Sequence, residues 1–140
     1  MRPSREGLLA VDVLLVEDLR NVQAAMVDML HGLGDYRVVA TISTEAEALA
    51  WLDQHPGAWG LAVIDLVLDQ GSGMSVIMRC RKTAPDARVV VFSNFVSPVI
   101  RAHCLKLGAD AAFDKNSELS EFAEYCAHLS PHAKRPQPSA

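Results

Sequence analysis

Cysteine is scarce and unpatterned in this 140-residue chain. Cys80, Cys104 and Cys126 make an odd number with no Cys-x-x-Cys spacing. That argues against a disulfide framework and a thiolate zinc site, and it agrees with a reducing compartment. A surplus of positive charge is also missing. Thirteen Lys/Arg face seventeen Asp/Glu, a formal net charge of −4. A protein that coats nucleic acid needs a cationic excess to release counterions, so direct DNA binding is not expected. No long apolar run is present. The stretch from Leu8 to Val16 is broken by Asp12 and closed by Glu17 and Asp18. It is too short and too charged to span a membrane. No small-residue cleavage site follows it, so a signal peptide is not read there. The expected location is cytoplasmic, without membrane contact. The histidines carry no His-Glu-x-x-His zinc pattern, and Gly71-Ser72-Gly73 lacks the lysine and hydroxyl of a phosphate loop.

Half of the residues are apolar and 21% are charged, the balance of one globular domain. Short apolar, β-branched runs predict strands at Val11 to Val16, Arg37 to Ile42, Leu61 to Leu66, Arg88 to Phe92 and Ala111 to Phe113. Helical spacing predicts helices between and after them. The first runs from Leu19 to Leu33, stopped by Gly32 and Gly34. The second is capped by Thr44 with Glu47 three residues on and runs to about Gln54. The third spans Met74 to Lys82. The fourth spans Pro98 to Leu107 and stops at Gly108. The last is capped by Ser117 and runs to about Leu129. Residues 1–10 read as an extension, 11–129 as the domain, and the proline-containing stretch 130–140 as a disordered tail. Strands that are apolar throughout belong to a parallel sheet covered on both faces. Right-handed crossovers make that an α/β doubly wound fold with five strands, whose ligand sits at the strand carboxyl ends.

Those ends hold the reactive residues. Glu17 and Asp18 follow the first strand, Asp65 ends the third, Ser93 follows the fourth and Lys115 follows the fifth. Carboxylates brought together repel unless a cation neutralises them. A hard divalent ion with oxygen ligands, Mg²⁺ above all, meets that need. A carboxylate can also accept a phosphoryl group, with a cation and a hydroxyl taking its oxygens.

In order and spacing these motifs resemble the receiver domain of two-component response regulators. The matching segments are Leu14 to Asp18, Val63 to Leu66 with Gly73 beyond, Val89 to Ser93, and Gly108 to Lys115. The resemblance implies a flavodoxin-like (βα)5 fold with strand order 2-1-3-4-5. It implies Asp65 as phosphoacceptor, Ser93 and Lys115 as groups on the phosphoryl oxygens, and Mg²⁺ as cofactor. The metal ligands implied are Glu17 through water, Asp18, Asp65 and the backbone carbonyl of Val67. A sensor histidine kinase or a histidine phosphotransfer protein would donate the phosphoryl group. On its extent the resemblance implies a stand-alone module, monomer or weak dimer, that signals through protein contacts and catalyses only its own phosphorylation and dephosphorylation.

There are departures. Ala112 stands where the family often has an aromatic switch residue, and Phe113 beside it belongs to the other face of the strand. Asn94 stands where alanine is frequent, and Asp69 replaces a frequent proline. In that family the residues two after the phosphoacceptor and two after the hydroxyl residue can flank the path of a hydrolytic water, and the resemblance puts Val67 and Phe95 there. Both are apolar, which implies slow loss of phosphate. Other functions fare worse. A dehalogenase-type phosphatase would want an aspartate at Val67, and a flavodoxin a hydroxyl-rich loop where Glu17-Asp18-Leu19 stands. A phosphorylation-independent adaptor on the same fold is the alternative that Ala112 keeps open.

Overall fold

The computed structural model describes residues 10–129, so the readings for 1–9 and 130–140 lie outside the described residues. Strands and helices alternate along the chain. They are β1 (Val11–Val16), α1 (Arg20–Leu33), β2 (Tyr36–Ile42), α2 (Glu45–Gln54) and β3 (Leu61–Ile64). Then follow α3 (Gly73–Thr83), β4 (Arg88–Ser93), α4 (Pro98–Leu107), β5 (Ala111–Asp114) and α5 (Leu119–Ala127). The five strands form one sheet in the order β2-β1-β3-β4-β5. All neighbours run parallel. Among the described residues no helix is long and apolar enough to cross a membrane.

Side chains of a strand alternate between faces, so a sheet covered twice needs two cores. The residues sort that way. Leu14 and Val16 pack with Ala48 and Leu52 of α2, Val76 and Ile77 of α3, and Cys104 of α4. Val13 and Leu15 pack with Met26 and Leu30 of α1 and with Phe122 and Cys126 of α5. All three cysteines are free and buried. They are small apolar core residues, and burial pushes the thiols of Cys80 and Cys126 up to about 12.

The local signals explain most boundaries. Thr44 accepts a hydrogen bond from the Glu47 amide and caps α2. Ser72 caps α3, and Ser97 with Pro98 behind it caps α4. Three expectations are corrected. The third strand ends at Ile64 and not at Leu66, because the Leu66 amide turns to the Ser93 hydroxyl at 3.2 Å. Gly32 lies inside α1, and Gly34 alone follows its end. Ser117 does not cap α5: its amide donates to Asp114, and Glu118 is the capping position. In β2 the pairing skips Val39, which is 43% exposed, and this bulge keeps the flanking residues in step with β1.

The edge strand β2 is tied to the last helix by one buried bond. The Tyr36 hydroxyl donates to the Cys126 carbonyl at 2.5 Å. Tyr36→Phe removes the donor while the carbonyl keeps the His128 amide. The expected loss of folding free energy is about 1 kcal/mol, read from urea unfolding. An unchanged midpoint would show that the bond contributes nothing net.

Candidate functional site

Parallel pairing brings the carboxyl ends of β1, β3, β4 and β5 side by side, and with them the residues that follow. The backbone continues the sheet for one more step. The Glu17 amide donates to Ile42, the Asp65 amide to Val16 and the Lys115 amide to Ser93. Each functional side chain is thus fixed by a ladder bond next to it.

Asp65 is only 8% exposed, and both of its oxygens are engaged. Oδ1 accepts from the Ser93 hydroxyl at 2.6 Å and from the Val67 amide at 3.1 Å. Oδ2 accepts from the Lys115 ammonium at 2.9 Å. Ser93 is fully buried, and its hydroxyl also accepts from Leu66. Lys115 reaches across to Glu17 as well and pairs with its Oε1. Burial raises the Glu17 carboxyl above its ordinary value, and the Lys115 and Leu19 bonds only partly offset this. For Lys115 burial works downward, but the bonds from Glu17 and Asp65 outweigh it and the ammonium is held above its ordinary value.

Glu17, Asp18 and Asp65 each offer a carboxylate oxygen, all within 4.8 Å of one another. Such a set of hard oxygen donors suits Mg²⁺. The residue types and their convergence therefore fit that ion. Val67 joins through its backbone alone: its side chain is 70% exposed, and its main chain pairs with Ser72 across the loop. Gly73 closes that loop because nothing larger has room. A Cβ there would lie 2.2 Å from the Asp65 carbonyl oxygen.

The structure thus brings together Glu17, Asp18, Asp65, Ser93 and Lys115, with the Val67 amide on Asp65. The sequence profile of the response regulator receiver domain matches residues 13–127. The chain belongs to this family. Among curated relatives, the photosynthetic apparatus regulatory protein RegA of Cereibacter sphaeroides is 31% identical over 84 residues. That match takes 60% of this chain and 45% of the relative. The response regulator protein VraR of Staphylococcus aureus is 23% identical over 83% of this chain and 54% of its own length. This receiver therefore spans about half the length of the curated relatives it matches. Solved structures agree. The receiver domain of the putative response regulator NarL from Mycobacterium tuberculosis superposes with a TM-score of 0.70 at 25% identity. It covers 84% of this chain and 96% of its own. A Burkholderia pseudomallei response regulator with a phosphorylated aspartic acid and a calcium ion gives 0.68 at 25% identity. That pair covers 80% of this receiver and 64% of the other chain.

Some participants were not legible as site residues. Gln23 on α1 donates to the Glu17 carbonyl at 2.5 Å, and nothing in its helical surroundings signals this. Asp114 accepts from Val96 at 2.7 Å and from Asn116 at 2.8 Å, joining the loop after β4 to the turn that presents Lys115. An aspartate heading a polar turn is the one signal that could have pointed to it. Val96 is buried, whereas Val99 in the first turn of α4 is 78% exposed. Phe95 takes a left-handed backbone at φ 59 with its ring 80% exposed.

Lys115 is the cation bonded to two of the three carboxylates. Lys115→Met leaves Glu17 and Asp65 facing each other unpaired. At pH 7 the expected loss of stability is about 3 kcal/mol, by urea unfolding. The gap between variant and wild type should narrow as the pH falls through the carboxylate range, since protonation removes the repulsion. A gap equal at pH 7 and pH 4 would mean that packing, not charge, is what the lysine supplies.

Proposed function

We propose that this receiver accepts a phosphoryl group on Asp65 from a phosphohistidine of a sensor histidine kinase or a histidine phosphotransfer protein, in a Mg²⁺-dependent reaction. It then signals through protein contacts. One observation carries the reading: Asp65 is a nearly buried carboxylate whose two oxygens are separately held by a hydroxyl and an ammonium. The phosphorylated aspartic acid of the Burkholderia relative supports it.

The residues present have distinct parts. An Asp65 oxygen forms the new P–O bond while the donor's P–N bond breaks, and the nitrogen keeps the electron pair. Lys115 already stands on Oδ2, where its charge can offset a phosphoryl oxygen. The Ser93 hydroxyl can turn its proton from Oδ1 to a second oxygen. Glu17, Asp18, Asp65 and the Val67 carbonyl are the groups that would hold Mg²⁺. When bound, the ion supplies positive charge against the carboxylates and the transferring group. The reaction modifies the protein itself, so the chain is read as a signalling domain and not as an enzyme with a separate substrate.

The second reading, an adaptor that works without phosphorylation, has Ala112 in its favour, because no ring there can follow Ser93. Mass spectrometry decides between the two. Wild type and Asp65→Asn are incubated with acetyl phosphate and Mg²⁺. One added phosphate on wild type only is the expected result. A folded wild type that gains none would overturn the phosphoacceptor reading and leave the adaptor.

The lifetime of the phosphate follows from two exposed side chains. Val67 and Phe95 are 70% and 80% exposed, and neither can orient a water. Slow hydrolysis is expected. Val67→Asn with Phe95→Glu should shed phosphate several-fold faster, timed by the same mass measurement, and an equal rate would remove the idea.

A further inference from the structure

The loop after Asp65 is held from outside itself. It folds back as a narrow hairpin, with Val67 paired to Ser72 and the Gly73 amide donating to Leu66 at 3.0 Å. The outgoing limb carries Asp65 and the Val67 carbonyl. The return limb opens α3. Glu45, the first residue of α2, grips that return limb. Its Oε1 accepts from the Ser72 amide at 2.8 Å, and its Oε2 accepts from the Ser75 hydroxyl at 2.5 Å. Its own amide donates to the Gln70 carbonyl at 3.0 Å. Gly71 makes the approach possible: a Cβ there would lie 2.4 Å from the Glu45 Cβ, at a backbone φ of +99.

The chemistry of the clamp is favourable on both sides. The first turn of α3 contains no acidic residue, and helix N-termini favour a negative charge. Glu45 supplies that charge from another helix. The Ser75 bond, and after it the Ser72 bond, hold the Glu45 carboxyl below its ordinary value. The outgoing limb, by contrast, has little packing at Val67, whose side chain faces solvent. The Val67 peptide is held by its amide bond to Asp65, by the buried Leu66 and Leu68 side chains on either side, and by the pairing with Ser72, closed by the Gly73 amide on the Leu66 carbonyl. Of those supports, the Asp65 oxygen is itself a reacting group. The pairing to the return limb is one that chemistry leaves in place, and Glu45 holds Ser72 in that limb.

We propose that Glu45 is a positioning residue for phosphoryl acceptance: its clamp on Ser72 and Ser75 fixes the return limb of the hairpin and, through the Gly73–Leu66 bond and the Val67–Ser72 pairing, places the Val67 carbonyl as a ligand for Mg²⁺. This rests on the receiver reading of Asp65 and Val67 given above. Glu45 itself touches no reacting group. Residues that orient metal ligands from behind commonly govern affinity as strongly as this requires.

Mg²⁺ titration of the full chain by calorimetry tests it, on wild type, Glu45→Ala, Glu45→Gln and Ser75→Ala. Alanine removes both arms and is expected to weaken Mg²⁺ binding about tenfold. Glutamine keeps an acceptor for the Ser72 amide and can turn its Nε2 to the Ser75 hydroxyl. It should stay within about twofold of wild type. The Mg²⁺ concentration giving half-maximal phosphorylation by acetyl phosphate should rise with Glu45→Ala, while the rate at saturating Mg²⁺ stays near wild type. Unchanged Mg²⁺ affinity in Glu45→Ala overturns the inference. Equal weakening in the alanine and glutamine variants overturns it too, since charge and not geometry would then be at work. If Glu45→Ala does not fold, Ser75→Ala takes its place, with an expected weakening of about threefold; no change there overturns the clamp. A wild type that is phosphorylated with Mg²⁺ beside an unaffected variant sinks the clamp alone. A wild type that neither binds Mg²⁺ nor takes phosphate sinks the receiver reading with it.

Discussion

Three carboxylates cannot share one end of a sheet without a cation among them, and Lys115 is how this chain meets that constraint. Its ammonium pairs with Glu17 and with Asp65, and so joins the residue after β5 to residues after β1 and β3. The reach is possible only in this topology. With strand order 2-1-3-4-5, β4 lies between Lys115 and Asp65, so the lysine must cross β4. What it crosses is a small side chain and a ring. Ser93 is fully buried beneath it, and the Phe92 ring centroid lies 6.0 Å from its ammonium. A larger or charged residue at position 93 would part the lysine from Asp65. The serine is therefore a spacer in the fold as well as a donor to the carboxylate.

The same arrangement explains why the site carries more negative than positive charge. One ammonium bonds to two carboxylates, and Asp18 adds a third within reach. Burial makes the excess costly, as the raised Glu17 carboxyl records. A site built this way favours a further cation.

How far this could be read from the sequence depends on the range of each interaction. The strands were legible because burial on both faces forces unbroken apolar runs such as Val89 to Phe92. The site residues were legible because the fold class alone assigns strand carboxyl ends to one edge. Glu17, Asp18, Asp65, Ser93 and Lys115 all converge there as expected. Boundaries fared worse where a tertiary bond decides them. Nothing near Leu66 in sequence says that its amide will leave the strand for a hydroxyl 27 residues away. Glu45 shows the same limit. In sequence it is an ordinary acid in a first turn, and the first loop residue it touches, Gln70, lies 25 residues later. Ser117 reads as a cap because its type favours caps, but Asp114 takes its amide first.

Ala112 turns the question of coupling from packing to hydrogen bonds. The residue is 2% exposed and lies in the core beneath α2, α3 and α4. Phe113 is on the opposite face, edge-on to Phe122 at 6.0 Å between centroids. With alanine at 112, there is no ring at that position to swing in step with Ser93. What joins the segment after Ser93 to β5 is polar instead. Asp114 holds the Val96 amide, and Arg101 of α4 donates to the Ala112 carbonyl and to Glu118. Residues 94–97 include Phe95 in its left-handed conformation, a strained state for a side chain of that size. A displacement of that segment must either break the Val96–Asp114 bond or carry Asp114 along, and Asp114 is the residue before Lys115. The Val96–Asp114 bond thus joins the segment after Ser93 to the residue before Lys115, beside the direct bond from the Lys115 amide to the Ser93 carbonyl.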